Sequence, residues 1–440
     1  MIETKVVWFK DLTLWTVALQ DKNFVSSSFD VVRLGELIID LSDERKITII
    51  DNKIYNEPTI SSKNNTITAR KTAFGEEFKV KKRIQILPND LVISRMHTQN
   101  GLFAFSNDEF VSTNTFIPFK IFEKKINPKF LFNILKLVLS KLQKFDSVNR
   151  ETYTTEEILN LEVPLPPMEI QNKIVADIEE IQNKIKALQK QEKELKDEIE
   201  RYIYIALGLE KEQKVEQKKA FVVEFKDLNR WDVAYNQNTK INNTTYKYDI
   251  EELNNICYIN PKINLKNLIK EDKSVSFLSM DSVENDGKTF YPKLKKANEN
   301  KGFMKFQNND LLWAKITPCM QNKKSLIVNN LENGYGFGST EFFVLRPKDL
   351  SEVDMKFILE FLRTDYVIEK AKETFKGSAG QQRVPKEFLE DLQIPLPPLN
   401  IQKEIVNFVE NKKRAIKENQ IKIIDLTKEI NNTIDKIFIS

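Results

Sequence analysis

Two stretches of the chain carry apolar residues at helical spacing. In the first, Ile170, Ile174, Ile178, Ile181, Ile185, Leu188, Leu195, Ile199 and Ile203 recur three, four or seven positions apart, with Glu, Lys and Gln between them. In the second, Ile405, Val409, Ile416, Ile423, Ile430 and Ile437 do the same, with Leu426 and Ile434 beside them. Each pattern is one apolar stripe on an otherwise polar helix. Neither stretch holds Gly or Pro before Gly208, so each predicts an unbroken helix of about 36 residues, roughly 54 Å long at 1.5 Å per residue. A stripe of this kind needs a partner. The other helix of the same chain gives an intramolecular coiled coil; a helix of another chain is the alternative.

Both helices are entered through Pro-Leu-Pro-Pro, at 164–167 and 395–398. These prolines cannot lie inside a helix and hold the residue before them extended, so each run reads as a stiff hinge leaving a compact domain. The hinges belong to a larger repeat. FKDLTLWTVAL (9–19) returns as FKDLNRWDVAY (225–235), and PNDLVISR (88–95) as NNDLLWAK (308–315). VSTNTFIPFKI (111–121) is echoed by GSTEFFVLRP (338–347), and VPLPPMEIQNKIV (163–175) by IPLPPLNIQKEIV (394–406). The blocks keep their order while their offset grows from 216 to 231 residues. That period is several-fold longer than a solenoid repeat, so a whole domain and its helical tail are duplicated. A pseudo-twofold relation between the copies would run the two helices antiparallel and set the domains at opposite ends. Trp15 and Trp231 recur in register and read as core residues rather than contacts.

At 440 residues the chain has room for two or three domains. A formal charge of +4, from 68 Lys+Arg against 64 Asp+Glu, means that any nucleic-acid surface must be local. Two cysteines, Cys257 and Cys319, make neither a disulfide framework nor a metal cluster. No apolar run approaches twenty residues and no secretory signal is present, which predicts the cytoplasm and no membrane partner. The catalytic inventory is short. His97 is the single histidine, which rules out a two-histidine metal site. Gly287, Lys288 and Thr289 resemble the end of a phosphate-binding loop, but Ser282 stands in place of its first glycine. Glu271-Asp272-Lys273 looks nuclease-like, yet a chain this charged produces such triplets freely. The proline runs are not the Asp/Asn-Pro-Pro-aromatic motif of amino-methyltransferases, and no Gly-rich cofactor loop follows a strand. No catalysis and no metal are expected of this chain.

The combination resembles the specificity subunits of type I restriction–modification systems. The second copy carries most of the likeness, through NDLLWAKITP (309–318), GFGSTEFFVLRP (336–347) and GSAGQQRVPKEFLEDLQIPLPPLNIQKEIV (377–406). The first copy departs, with SRMHTQNG (94–101) against AKITPCMQNKK (314–324) and SVNRETYT (147–154) against GSAGQQRV (377–384). The resemblance implies an α+β fold: two pseudo-symmetric α/β target-recognition domains (1–166 and 208–397) separated by two long helices (167–207 and 398–440) that form an antiparallel intramolecular coiled coil. It implies a noncatalytic subunit whose domains each read half of a bipartite site in double-stranded DNA while the helices set the gap. It also implies two methyltransferase subunits docked on the outer helix faces, and ATP-dependent motor-nuclease subunits. S-adenosylmethionine, ATP and Mg would act in those partners and no cofactor in this chain. A coiled-coil adaptor that never touches DNA is the alternative of a different class; the recognition half of a self-contained restriction–methylation enzyme is disfavoured by the missing methyltransferase motifs.

Affinity for DNA needs cations near phosphates, and readout needs donors and acceptors at base edges. Residues 70–83 hold six basic and two acidic side chains, among them Lys81, Lys82 and Arg83; residues 291–306 hold five lysines and one glutamate, among them Lys293, Lys295 and Lys296. Each segment precedes its Asn-Asp-Leu strand, and a solvated lysine-rich loop is the other reading of each. After those strands stand Arg95, His97, Gln99 and Asn100 in the first copy, and Lys315, Thr317, Gln321, Asn322, Lys323 and Lys324 in the second. Arg and Lys suit guanine O6/N7, Gln and Asn suit adenine N6/N7. Gln381, Gln382 and Arg383 follow two permissive glycines, which favours either close approach to a ligand or a turn before the domain's last helix.

Overall fold

The computed structural model describes residues 27–140, 142, 152–209, 246–378 and 380–439. The 9–19 and 225–235 blocks, with Trp15 and Trp231, lie outside the described residues, as do 147–151. The chain divides into two compact units, one joining residues up to 188 with those from 421 on, the other spanning 189–420. Both mix helix and sheet.

The first unit runs β1 (Val31–Arg33), β2 (Ile38–Asp40), β3 (Lys46–Thr48), β4 (Ile54–Ser61), β5 (Thr66–Phe74), β6 (Lys82–Ile86), β7 (Leu91–Ser94), β8 (Phe103–Phe105), β9 (Phe110–Ser112) and β10 (Phe116–Ile121). Helices α1 (Pro128–Ser140) and α2 (Thr155–Leu159), strand β11 (Glu162–Pro164) and the start of α3 (Met168–Leu207) follow. The second unit holds the rest of α3, then β12 (Ile250–Glu252), α4 (Leu253–Ile256), β13 (Cys257–Ile259), α5 (Lys266–Lys270), β14 (Ser274–Leu278) and β15 (Lys293–Lys296). It continues through β16 (Met304–Gln307), β17 (Leu311–Ala314), β18 (Ser325–Ile327), β19 (Tyr335–Gly338) and β20 (Phe342–Pro347). Helices α6 (Met355–Leu362), α7 (Asp365–Glu373) and α8 (Lys386–Glu390), strand β21 (Gln393–Pro395) and α9 (Leu399–Ile439) complete the chain.

The units share one frame. An antiparallel four-stranded sheet has the order β2-β10-β7-β8 in one and β13-β20-β17-β18 in the other, and β1-β11 and β12-β21 pair at the exit to each long helix. The central strands are buried on both faces, which is why Leu91, Val92 and Ile93 of β7 and the whole of β17 read as unbroken apolar runs. Alternate residues serve alternate layers. Leu91 and Ile93 join the α1 core with Ile134 and Leu135, while Val92 joins Ile86 and Phe110 on the other side. Likewise Leu311 and Trp313 face Phe357 and Phe361 of α6, and Leu312 and Ala314 face Phe306 and Leu278.

Two repeated motifs are explained by this frame. In Asn-Asp-Leu, Asn89 and Asn309 take the left-handed conformation at φ 72° and 70°, which asparagine tolerates better than most residues. The next aspartate closes the turn. Asp90 accepts from the Leu87 N–H at 2.7 Å, and Asp310 from the Gln307 N–H at 2.8 Å. The buried glutamines of the helix starts form the second device. Gln171 donates to the Pro166 carbonyl and accepts from the Asn127 N–H, both at 2.8 Å. Gln402 does the same with Pro397 and Asp354, again at 2.8 Å. Each glutamine thus ties the proline hinge to the residue that begins α1 or α6.

The long helices have 40 and 41 residues, somewhat more than the stripes predicted. Within the first unit, Ile174 and Val175 of α3 share a core with Ile434, Ile437 and Phe438 of α9. Within the second, Tyr202 stacks on Phe408 at 3.8 Å, Glu198 meets Lys412 at 2.9 Å, and Gln191 accepts from Asn419 at 3.1 Å. In the second unit rising numbers on α3 meet falling numbers on α9, so the segments pair antiparallel. Ile185, Leu195, Ile423 and Ile430 are only half-buried, because a two-helix seam covers one side of each stripe.

The second sheets differ. In the first unit β3-β6-β9 is antiparallel and a long hairpin, β4–β5, stands beside it. In the second the order is β15-β14-β19-β16, with β14 parallel to β19. The strands that recur, β6 with β9 and β16 with β19, are those next to the repeated blocks. No helix among the described residues is long and apolar enough to cross a membrane.

Candidate nucleic-acid interface

Each unit builds the same three-way junction at the end of its central strand. In the first, the Arg95 N–H donates to the Thr115 carbonyl and the Tyr153 N–H to the Arg95 carbonyl, both at 2.8 Å, and Met96 bridges Thr152. In the second, the Lys315 N–H donates to the Glu341 carbonyl and the Val384 N–H to the Lys315 carbonyl, both at 2.9 Å, and Ile316 bridges Arg383. Three segments distant in sequence therefore meet: the strand end, the turn between two sheets, and the chain entering α2 or α8. The bonds set Thr152, not Tyr153, in the place of Arg383, one residue away from the side-by-side sequence reading.

In the first unit the junction opens into a cavity of about 850 Å³. Lys46, Lys82, Arg83 and Arg95 line it with Asn114 and Thr115, and no acidic residue does among the described residues. Arg95 is oriented by its Nε–H bond to the Tyr153 carbonyl at 2.8 Å. Arg83 is buried, its guanidinium over the Phe78 ring and its Nη1 at 3.2 Å from Glu57. Lys81 is tied to Asp51 and the Gly75 carbonyl. Lys82 is exposed. His97 takes a left-handed conformation before a 3-10 turn, Thr98–Asn100, that carries Gln99 and Asn100; His97 and Asn100 are exposed.

In the second unit Lys315 lies over the Phe343 ring at 5.1 Å, and the Thr317 N–H reaches the Gln382 carbonyl at 2.9 Å. The loop after β17 and residues 380–383 are thus brought together. Gln321, Asn322 and Gln381 are exposed. Lys323 and Lys324 turn inward instead, Lys323 at 2.6 Å from Asp365 and 3.7 Å from Glu200 of α3, Lys324 onto the Met280 carbonyl at 2.9 Å. Burial pushes the Glu200 carboxyl up despite Lys323 beside it. Of the basic strand β15, Lys293 is exposed, Lys295 covers the Phe277 ring at 4.2 Å and Lys296 pairs with Asp272 at 2.7 Å. Gly287, Lys288 and Thr289 form a turn closed by Asp286, which accepts from the Lys288 and Thr289 N–H groups. Among the described residues no group of three or more His, Cys, Asp or Glu could hold a metal ion.

The model of the type I restriction modification DNA specificity domain matches the chain twice, over residues 26–201 and 243–433. The chain belongs to this family. The specificity subunits of the Escherichia coli type I restriction enzymes EcoAI and EcoEI are each 37% identical to it over 157 residues, 35% of this chain and 26% of theirs. The chain therefore covers about a quarter of the length of the curated relatives it matches. A chain solved in work on complex assembly and conformational transition of the type I R-M system superposes with a TM-score of 0.56 at 16% identity, over 94% of this chain and 98% of that one. That likeness establishes the shared fold.

For a member of this family, reading the sequence alone missed Glu341, Asn114 and Thr115. All three sit in the repeated Ser-Thr block, where the copies differ in length and charge. That divergence inside a matched block was the available signal.

Proposed function

We propose that this chain is the noncatalytic DNA-specificity subunit of a type I restriction–modification complex. Each unit reads one half of a bipartite double-stranded site, and α3 and α9 set the gap. The reading is carried by one observation: the same junction is built twice, each time with cationic and amide side chains, inside both segments that match the DNA-specificity domain. Arg95, Lys315, Gln381, Gln382 and Arg383 surround the two junctions; Lys82 and Lys293 are exposed cations available to phosphates. The exposed His97, Asn100, Gln321 and Asn322 are further candidates at base edges. Lys81, Arg83, Lys295, Lys296, Lys323 and Lys324 hold the surface in shape through the contacts above, adding positive potential more than direct contact.

Chemistry is supplied in trans. Two methyltransferase subunits dock on the outer faces of the two helices and carry S-adenosylmethionine; motor-nuclease subunits bring ATP and Mg-dependent cleavage. The complex works in the cytoplasm, where the chromosome is. The test is methylome sequencing of cells expressing the methyltransferase subunits of this system with and without the chain. A bipartite methylated motif that vanishes when the chain is deleted is the expected result. Methylation indifferent to the deletion overturns the reading and leaves a coiled-coil adaptor.

A further inference from the structure

We propose that Arg383 reads a guanine in the half-site of the second unit, and that Glu341 is the residue that positions it. The proposal rests on the DNA-specificity reading above and names the base and the residues. Glu341 holds the guanidinium on one side: Nε lies 3.0 Å from Oε2 and Nη2 2.8 Å from Oε1. Nη1 donates to the Gln381 carbonyl at 2.9 Å. Of five N–H groups, three are used among the described residues, and one remains on each terminal nitrogen. The Arg383 side chain is still 42% exposed, so those donors are presented by a group that is locked yet open to solvent. One donor on each terminal nitrogen of a fixed plane is the pair of nitrogens with which a guanidinium reads guanine O6 and N7.

The comparison of the two junctions supports a role in specificity rather than in folding. The backbone frame is the same, yet Arg383 and Glu341 are replaced at the equivalent places of the first unit by Thr152 and Thr115. A pair needed for the frame would recur in both. The first half-site is therefore read without this fork, and the whole site is asymmetric.

The experiment uses the full chain assembled with its methyltransferase subunits. Methylomes of wild type, Arg383→Lys and Glu341→Gln are compared, and the assembled complexes are titrated against duplexes carrying the motif and each single substitution of it. Lysine keeps the charge and loses the fork. Arg383→Lys is expected to keep one half-site intact and to lose about tenfold or more of the discrimination at one G·C pair of the other. Glu341→Gln is expected to weaken the same discrimination while binding non-target duplex more tightly, because one negative charge beside the DNA has gone. If Arg383→Lys leaves the motif unchanged, or weakens all duplexes equally, Arg383 is a phosphate or folding contact and the proposal falls. If Glu341→Gln leaves discrimination at that pair intact, the positioning role falls. A wild type that methylates no motif dependent on the chain defeats instead the reading on which the proposal stands.

Discussion

Glu57 shows how far single charges in this protein are committed before any ligand arrives. It meets Arg70 at 2.7 Å and Arg83 at 3.2 Å, and Arg83 in turn covers Phe78. Burial pushes the Glu57 carboxyl up, but Arg70 and then Arg83 outweigh it and hold it below the usual glutamate range. A carboxylate with a lowered folded pKa adds stability above its unfolded value, and that stability is lost as pH falls through the folded one. Glu57→Gln is therefore expected to lose stability near neutrality and to show a flatter acid limb. Urea midpoints from about pH 3 to 6 measure this; parallel acid limbs for wild type and variant would contradict it. The sequence revealed the basic run that contains Arg83, but charge patterning cannot say which cations are turned onto carboxylates 13 and 26 residues away.

At the scale of elements, the proline hinge is rigid because a glutamine side chain closes it. Gln171 and Gln402 are 1% and 0% exposed, and each bonds a proline carbonyl behind it and a helix-starting N–H across the domain. Removing the amide leaves a buried carbonyl and a part-buried N–H without this partner, at a cost on the order of 2 kcal/mol. Gln171→Ala and Gln402→Ala are each expected to lower the unfolding free energy from urea titration by that amount, and Gln171→Glu to restore little, because the donor to Pro166 is gone. An unfolding free energy within about 0.5 kcal/mol of wild type would show that the hinge is held otherwise. The repeat made both glutamines visible as equals. Their role needed the fold, since the partners Asn127 and Asp354 lie 44 and 48 residues away.

For the whole molecule, the function proposed turns on α3 and α9 as a spacer. Inserting one heptad into both helices, at the level where Gln191 meets Asn419, preserves the facing of the apolar stripes. It adds about 10 Å of helix, roughly three base pairs of duplex at ~3.4 Å each. The methylated motif is expected to keep both half-sites and to widen its gap by about that much. An unchanged gap in a folded, active variant would remove the spacer role. Duplication alone predicts the antiparallel pairing, and the contacts within the second unit bear it out. The helix stripes had settled only that a partner was required.

Taken by itself, the sequence determined what depends on neighbours along the chain: the long helices, through their period; the hinges, through proline; the Asn-Asp turns, through a residue that tolerates positive φ; and the duplication, through order and register. The tertiary structure decided which side chains share a place. Lys315, Glu341 and Arg383 come from three segments and meet only because β17, the β19–β20 turn and the chain before α8 are hydrogen-bonded together. Whether a lysine faces solvent or a carbonyl is decided by the same packing, which is why Lys323 and Lys324 turn inward while their neighbours Gln321 and Asn322 stay exposed.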